Sequence, residues 1–494
     1  MRRLALRLLS AVAAAMILAP AVKQVATVIA ILRARFACPL DIEFLEGAHI
    51  YQAWRMAQGL PLYVDWTTGF ATFPYPPLYW VAVRAAFTVF GFTDQAGRAV
   101  SIASLIVAAS VLSFLAAKAA PNRLFAVAFA VIAAAGICTG YPCCGGAYDI
   151  VRSDMMSMAL VVVGAALAGD GRLSSAGAWA VAVALSASIY TKQTGVVFSA
   201  WILWYAVRRN ARGGLHLLVA MAVLCGVPFV ILEAMTRGWF ATWLFYPGHH
   251  GLRSWLWIDS VAGFIQHAPF LLILPWLVPE LHRRRWLGPT TSLWTGMLIA
   301  AMVSSALAFM KGLSWRNVWM PELLLAWPVG LMLLGDALHG LGPRVATSRF
   351  AAWGSLAVLG GLLASFHYDV ESLEPTADRW SAAKALDDLV RSLDGGVVVT
   401  TDPMAAVRAG KAGPQPFLPA YEDAKTGGLA TDYVAALVTS GARWVITTDS
   451  YLDTDRSPEP RMPPFFERVR TLDFSLRSLS SWDKAGNAVL WRRR

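Results

Sequence analysis

Three carboxylates stand close together early in the chain: Asp41, Glu43 and Glu46. Glu43 and Glu46 are three positions apart, so on a helix they share one face. A carboxylate beside a hydrophobic segment is partly desolvated, which raises its pKa and its strength as a base. The spacing therefore suits a general base or a metal site. The alternative is a solvated loop beside the membrane whose acids have no catalytic role.

A second polar segment, residues 148–154, contains Asp149, Arg152 and Asp154 directly before an apolar run. One interpretation is an Asp149–Arg152 pair that caps the next helix. The other is a second acid that completes a site with Glu46 or helps to hold a divalent cation. Oxygen ligands suit Mg²⁺ or Mn²⁺. If the chain holds a metal, we expect Glu46 and Asp154 to be its ligands.

The composition places these acids in a membrane protein. Hydrophobic residues make up 57% of the chain and charged residues only 15%, with a mean hydropathy of +0.52. A soluble globular chain carries roughly a quarter charged residues. The net charge is +11, but the Lys and Arg residues fall in short connectors, as the positive-inside rule expects. We therefore expect no nucleic-acid partner.

The apolar segments predict a polytopic helix bundle. Several are shorter than the roughly 20 residues that a perpendicular crossing needs, which a bundle tolerates when its neighbours bury the ends. The predicted crossings are residues 8–32, 97–117, 124–140, 155–169, 176–191, 195–207, 215–234, 261–279, 290–310, 318–335 and 350–367.

Basic connectors predict the orientation. Arg residues at 2, 3 and 7 place the N-terminus in the cytoplasm, and the basic runs 208–212 and 283–285 mark later cytoplasmic connectors. With the weaker mark at residues 118–123, these agree only if either 77–92 or 97–117 does not cross, and 77–92 is the shorter segment and carries Arg84. We therefore expect 77–92 to be re-entrant or interfacial, with about eleven crossings in all and the C-terminus outside.

This topology puts Lys311 and Arg316 on the outer side, where the positive-inside rule disfavours them. An anionic lipid headgroup explains that departure, and Asn317 completes the stretch. Anchoring to ordinary headgroups with neighbouring Trp residues is the alternative. Lys192 interrupts an apolar stretch and is either a second phosphate contact or a lysine that snorkels to the interface.

The composition changes near residue 368. Residues 377–393 have helical periodicity, residues 396–401 and 444–448 read as buried strands, 433–440 as a helix and 488–491 as a last strand. We therefore divide the chain into a membrane domain, 1–367, and a small extracytoplasmic α/β domain, 368–494.

Two features leave alternatives open. The apolar N-terminal segment imitates a secretory signal, but it continues to residue 32, which favours an uncleaved anchor. The five cysteines favour small buried residues, with a Cys138 pairing to Cys143 or Cys144 as the minority interpretation.

The ordered motifs resemble polytopic glycosyltransferases of the GT-C superfold, in the families that resemble protein mannosyltransferases and aminoarabinose transferases. Each motif is weak alone, but their order over residues 1–335 is moderately specific. The matching stretches are Glu43 with Glu46-Gly47, residues 53–63, Tyr75-Pro76-Pro77-Leu78-Tyr79, Gly97-Arg98, Arg152-Ser153-Asp154 and residues 311–317. Leu45 stands where the family usually carries an acid, which leaves Glu43 and Asp41 as substitutes for Glu46.

The resemblance implies transfer of a sugar from a polyprenyl-phosphate donor to a lipid or glycan acceptor, in the inner membrane of a bacterium. Glu46 would be the base, Asp154 would orient the acceptor or bind a metal, and Tyr75 and Tyr79 would line the groove. Lys311 and Arg316, with Lys192, would neutralise the phosphate. A transporter or flippase of an anionic or lipid-linked substrate is the rival. It predicts charges buried in mid-span and internal repeats, which we do not find.

Overall fold

The computed structural model describes residues 2–43, 45–68, 70–245, 251–311, 315–341, 345–367, 369–400, 402–411, 413–416, 432–448, 461–475 and 487–494. Most of them are helical. The helices before the C-terminal segment are α1 (Arg2–Phe36), α2 (Glu46–Ala57), α3 (Leu78–Phe90), α4 (Asp94–Ala119), α5 (Arg123–Cys143), α6 (Ser153–Ala168), α7 (Ser175–Thr191), α8 (Gly195–Arg209), α9 (Ala211–Met235), α10 (Trp239–Phe245), α11 (Trp257–His267), α12 (Leu274–Arg283), α13 (Pro289–Met310), α14 (Met320–Gly340) and α15 (Val345–Ser365).

The long helices identify an integral membrane protein. In the described part of the chain, six helices are long and apolar enough to cross a membrane: α4, α5, α9, α13, the part of α1 from Ala15, and the segment Arg316–Gly340 that contains α14. Helices α3, α6 and α7 are apolar but shorter. The count of about eleven crossings and the orientation of the termini stay predictions.

One predicted crossing, residues 261–279, is interrupted. The stretch 261–279 is not one helix, because Ser254–His267 and Pro269–Arg283 meet at an angle of 106°. Pro269 has no N–H to donate and disfavours helical backbone at the residue before it. Ala268 accordingly has φ −140° and ψ 75°. This stretch is a broken span or a re-entrant loop.

Helix α3 corresponds to the segment 77–92. It has 13 residues, which at 1.5 Å per residue gives about 20 Å, well short of a hydrocarbon core of roughly 30 Å. Its length is consistent with the predicted re-entrant or interfacial helix. It packs between α2 and α4, so it helps to fix the loop that carries the acids.

The C-terminal segment contains a four-stranded sheet of order β1-β2-β4-β3, with β1 and β2 parallel and the other pairs antiparallel. The predicted helices and strands are present, whereas α17 and β3 were not predicted. The elements are α16 (Ala377–Ser392), β1 (Val397–Val399), α17 (Pro403–Arg408), α18 (Tyr433–Thr439), β2 (Trp444–Thr448), β3 (Phe466–Thr471) and β4 (Ala488–Arg493). The domain boundary at residue 368 stays a prediction.

The C-terminal segment packs directly on the acidic loop and on α2. The Tyr51 hydroxyl donates to the carbonyl of Gly413 and accepts from the backbone N–H of Gln415, both at 3.2 Å. The Arg379 guanidinium donates to the backbone carbonyl of Asp41. The position of the candidate acids therefore depends on residues from both ends of the chain.

Candidate active site

Glu46 forms a fully buried ion pair with Arg98 of α4. Both side chains have 0% exposure, and the guanidinium contacts both carboxylate oxygens, at 3.2 and 2.7 Å. The carboxylate also accepts the backbone N–H groups of Ile42 at 2.6 Å and Val151 at 2.8 Å. Burial alone would raise the pKa of Glu46, but Arg98 and these donors lower it below its ordinary value.

These contacts disfavour the expected role of Glu46 as the base. A base needs a free lone pair and a pKa near the working pH. Glu46 instead has four donors on its two oxygens and a lowered pKa. Its place at the first turn of α2 makes it the residue that ties α2, α4 and the loop before α6 together.

Glu43 has the opposite environment. It is 3% exposed, one oxygen lies 3.4 Å from the Arg152 guanidinium, and the other accepts the backbone N–H of Leu45 at 3.1 Å. Burial raises the pKa of Glu43 to about 7, although Arg152 acts to lower it. A carboxylate with this pKa is a competent general base near neutral pH.

Asp154, at the first turn of α6, is the centre of a polar cluster drawn from distant segments. Its Oδ1 accepts from Lys192 Nζ at 2.5 Å and from Asn317 Nδ2 at 3.1 Å, and its Oδ2 lies 3.4 Å from Arg152 Nε. Lys192 follows the last residue of α7, and Asn317 lies in a short 3-10 turn before α14. Arg152 links this cluster to Glu43, so we call Glu43, Arg152, Asp154, Lys192 and Asn317 the charged cluster.

A small cleft opens at the charged cluster. Asp154 and Lys192 line it, together with residues of α6, α8, α13 and α14. Tyr75 lies at the edge of the cluster, with the Lys192 ammonium 5.6 Å from the centre of its ring. Tyr79 is 1% exposed and its hydroxyl contacts the carbonyl of Gly97 at 3.5 Å, so it packs against α4.

Two predicted acids lie apart from the charged cluster. Asp149 is fully buried, pairs with Arg35 at 3.0 Å and accepts the Tyr141 hydroxyl at 2.9 Å. Asp41 faces Asp402 of the C-terminal segment. The predicted Asp149–Arg152 pair is wrong, because Arg152 instead contacts Glu43 and Asp154.

The two predicted outer cations differ in exposure. Lys311 is half-buried, and its backbone pairs with Leu252 in an isolated antiparallel bridge. Arg316 is exposed and lies 5.9 Å from the ring centres of Trp315 and Trp319. Because Asn317 follows it directly, Arg316 stands next to the charged cluster on an exposed surface.

Two residues at the site were not predicted. His49 lies one turn after Glu46 on α2 and is fully buried among aromatic rings. Asp402 caps α17 and lies against the acidic loop. The spacing of His49 from Glu46 was a usable signal for the first. No local pattern points to the second, because its neighbours come from the other end of the chain.

Glu46 and Asp154 do not fit a divalent metal. In the described residues no group of three or more His, Cys, Asp or Glu side chains is placed to hold one. Arg98 and two backbone N–H groups occupy Glu46, and cationic or amide donors occupy Asp154. Metal ligands are instead carboxylates whose charge is not already neutralised by such donors.

No protein-family model and no curated protein matches the chain. Solved structures do. ArnT from Cupriavidus metallidurans bound to undecaprenyl phosphate matches with a TM-score of 0.59 at 14% identity, over 95% of this chain and 97% of ArnT. The apo form of the same protein gives 0.58 at 15% identity with the same coverage. The Archaeoglobus fulgidus oligosaccharyltransferase matches more weakly, with a TM-score of 0.46 at 11% identity over 88% of this chain and 69% of that one.

The match to ArnT extends over nearly the whole of both chains. The chain therefore has the GT-C fold. This confirms the fold that the ordered motifs implied.

Proposed function

We propose that this protein is an integral-membrane glycosyltransferase that moves a sugar from a polyprenyl-phosphate donor to a lipid or glycan acceptor, with inversion at the anomeric carbon. The charged cluster carries this proposal. It places a buried carboxylate with a pKa of about 7, Glu43, beside the fixed positive charge of Arg152, which also contacts Asp154, the partner of Lys192. Glycosyl transfer from a phosphate needs a base for the acceptor and cations for the leaving group.

The fold supports the choice of donor. ArnT, which this chain matches over 95% of its length, was solved with undecaprenyl phosphate bound. A polyprenyl phosphate presents its phosphate at the membrane surface and keeps its chain in the lipid. The charged cluster lies where the apolar helices α6 and α7 meet polar loops, which is the depth that such a headgroup would reach.

Lys192 is the main cation for the donor phosphate. Its side chain lines the cleft, and its ammonium donates a hydrogen bond to the Asp154 carboxylate. Arg316, exposed beside Asn317, would add a second charge from the open side. In a site from which water is largely excluded, these charges stabilise the developing phosphate anion more than they would in water. Lys311 lies further along the same stretch as an outer contact for the lipid headgroup.

Glu43 is the base. It takes the proton from an acceptor hydroxyl as that oxygen attacks the anomeric carbon from the face opposite the phosphate. The carbon–oxygen bond to the phosphate breaks, and the phosphate leaves on its lipid with its charge neutralised by Lys192. Arg152 lies 3.4 Å from both Glu43 and Asp154. Because Asp154 also pairs with Lys192, Arg152 fixes the position of the base relative to that cation.

The site would face the extracytoplasmic side of a bacterial inner membrane, with the N-terminus in the cytoplasm. The basic connectors support this orientation. Residues 368–494 would then form an extracytoplasmic α/β domain over the acidic loop, a position supported by the contacts of Tyr51 and Arg379.

The test uses purified protein in lipid, polyprenyl-phosphate donors with labelled sugars, and envelope lipids and glycans as acceptors. We expect wild type to transfer label and Glu43→Gln to lose about 10²–10⁴-fold in rate, the usual contribution of a general base. Glu371→Gln, a matched change at an exposed acid, should transfer normally. Full transfer by Glu43→Gln overturns its role as the base. Movement of intact donor across the vesicle without transfer would favour the flippase.

A further inference from the structure

His49 is held rigidly beside the charged cluster. It is 0% exposed, and its imidazole stacks on Phe73 with ring centres 4.7 Å apart and on Tyr75 at 5.8 Å. Tyr79 meets it edge-on at 5.8 Å. An imidazole enclosed by aromatic rings on several sides cannot rotate freely, so the direction of its two nitrogens is fixed.

The contacts of the ring determine its tautomer. Trp80 Nε1 lies 3.0 Å from His49 Nδ1. An indole N–H can only donate, so Nδ1 is the acceptor and carries no hydrogen. Burial, followed by the charge of Arg152, lowers the pKa of His49 to about 3, which keeps the ring neutral at physiological pH. A neutral ring with an unprotonated Nδ1 carries its hydrogen on Nε2.

The Nε2–H group is a buried donor without a hydrogen-bond partner among the described residues. Buried donors are nearly always satisfied, and the exceptions call for a bound water, a ligand or a functional role. The orientation of the unpartnered Nε2 is fixed, because Trp80 and the stacked rings hold the imidazole in place. A fixed, neutral and unused donor is the feature of a preorganised binding group.

His49 lies near the charged cluster. The charges that act on its ring are those of Arg152, Asp154 and Lys192. Tyr75 links the two groups physically, since it stacks on His49 and also lies under the Lys192 ammonium. The ring therefore belongs to the surroundings of the proposed phosphate site, although no basic or acidic residue pairs with it.

We propose that His49 is a phosphate-binding residue, whose Nε2–H donates a hydrogen bond to a phosphate oxygen of the lipid-linked donor beside Lys192. This proposal rests on the proposed function for the identity of that ligand. A neutral donor adds a directional hydrogen bond without adding a further charge to a site that already contains two cations. Trp80 is a positioning residue, because it acts only by holding the hydrogen on Nε2.

The test measures binding of bare undecaprenyl phosphate to the full chain in lipid, which needs no acceptor and no transfer. His49→Gln keeps an amide donor near the place of Nε2, whereas His49→Phe keeps the stacked ring and removes the donor. We expect His49→Phe to weaken binding at least about tenfold, the effect of losing a hydrogen bond to a charged group, and His49→Gln to bind nearly as wild type. Equal binding by both variants at matched thermal stability overturns the proposal.

A second arm separates phosphate from sugar. If His49 binds the phosphate, His49→Phe weakens bare undecaprenyl phosphate and its sugar-loaded form alike. Weakening of the sugar-loaded form alone overturns the assignment. If wild type binds undecaprenyl phosphate but transfers no sugar, the proposed transferase activity is contradicted and the proposed role of His49 in phosphate binding is not.

A third measurement needs no loss of function. The chain has 8 His residues, and ¹⁵N spectra of histidine-labelled wild type, compared with His49→Gln, identify the His49 signals. We expect a neutral ring with hydrogen on Nε2, whose signal moves when undecaprenyl phosphate is added. A ring with hydrogen on Nδ1, or a charged ring, overturns the proposal.

Discussion

Asp41 and Asp402 meet at Gly47, although they come from opposite ends of the chain. Both oxygens of Asp41 and one oxygen of Asp402 lie 3.1 Å from the point where a Cβ on Gly47 would stand. Both side chains are buried, at 7% and 4% exposure. Asp402 is paired with Arg408 at 2.9 Å. Two carboxyl groups so close together cannot both be ionised at low cost.

The first prediction concerns the charge of Asp41. Burial raises the pKa of Asp41 well above its ordinary value, and the nearby charge of Asp402 raises it further. When an acid has a higher pKa in the folded than in the unfolded state, the folded protein loses stability as the pH rises through the folded pKa. We therefore expect the Tm of wild type to fall as the pH rises above about 4, the ordinary pKa of an aspartate, and that of Asp41→Asn to fall much less. The measurement is thermal unfolding in detergent across that range.

The companion variant for this prediction is Asp402→Asn. It removes one of the two carboxylates that pair with Arg408, so it should lower the Tm. It also removes the charge that helps to raise the pKa of Asp41, so the fall of its Tm with pH should be shallower than in wild type. An Asp41→Asn profile as steep as that of wild type would show that Asp41 is ionised in the folded protein.

The second prediction separates the structural acid, Glu46, from the proposed base, Glu43. Glu46 and Arg98 are both fully buried, and removal of one partner of such a pair costs about 3–5 kcal/mol. Glu46→Gln should therefore lower the Tm strongly, whereas Glu43→Gln should lower it less, because Arg152 keeps Asp154 as a partner, and should remove activity. Urea or thermal unfolding of the two variants in parallel with transfer assays makes the comparison.

Arg98 provides a further check on that pair. It also donates to the carbonyls of Cys38 and Leu40, at 2.5 and 2.9 Å. Arg98→Met should therefore lower the free energy of unfolding more than Glu46→Gln does. The double variant should lose less free energy of unfolding than the sum of the losses in the two single variants, because the residues interact directly. Additive losses would mean that the pair does not couple energetically.

The sequence predicts the apolar helices well, because hydropathy and length reflect the membrane directly. It also identifies acids and cations that the structure does bring together: Glu43, Arg152, Asp154, Lys192 and Asn317. The motif order predicts the GT-C fold. These successes share a cause, since each depends on residue types that are unusual for an apolar chain.

The sequence does not predict which partner each acid has. Glu46 and Asp41 look equivalent in one loop, yet the first faces Arg98 and the second faces Asp402. These pairings depend on long-range packing of α4 and of the C-terminal segment. Pro269 is a signal for the break at Ala268, but the apolar residues on both sides favoured the prediction of one continuous span.

The third prediction is a shift in the pH dependence of transfer. If Glu43 is the base, kcat/KM rises as it loses its proton, with a midpoint near its pKa of about 7. Arg152 acts to lower the pKa of Glu43, so Arg152→Gln should move this acid limb to higher pH, whatever its effect on the maximum rate. Glu371→Gln is the control and should leave the midpoint in place. An unmoved midpoint in Arg152→Gln would assign the limb to another group.

The fourth prediction concerns metal dependence. The oxygens of Glu46 accept from Arg98, Ile42 and Val151, and Asp154 accepts from Lys192 and Asn317. A divalent cation would have to displace these donors, which the charge of Lys192 and Arg98 opposes. Dialysis against EDTA should therefore leave the transfer rate unchanged, and added Mg²⁺ or Mn²⁺ should not increase it. Elemental analysis of the dialysed protein serves as the control for complete metal removal. Loss of activity that Mg²⁺ or Mn²⁺ restores would show that a cation does enter the site, and the displaced Lys192 would then be free to bind the phosphate alone.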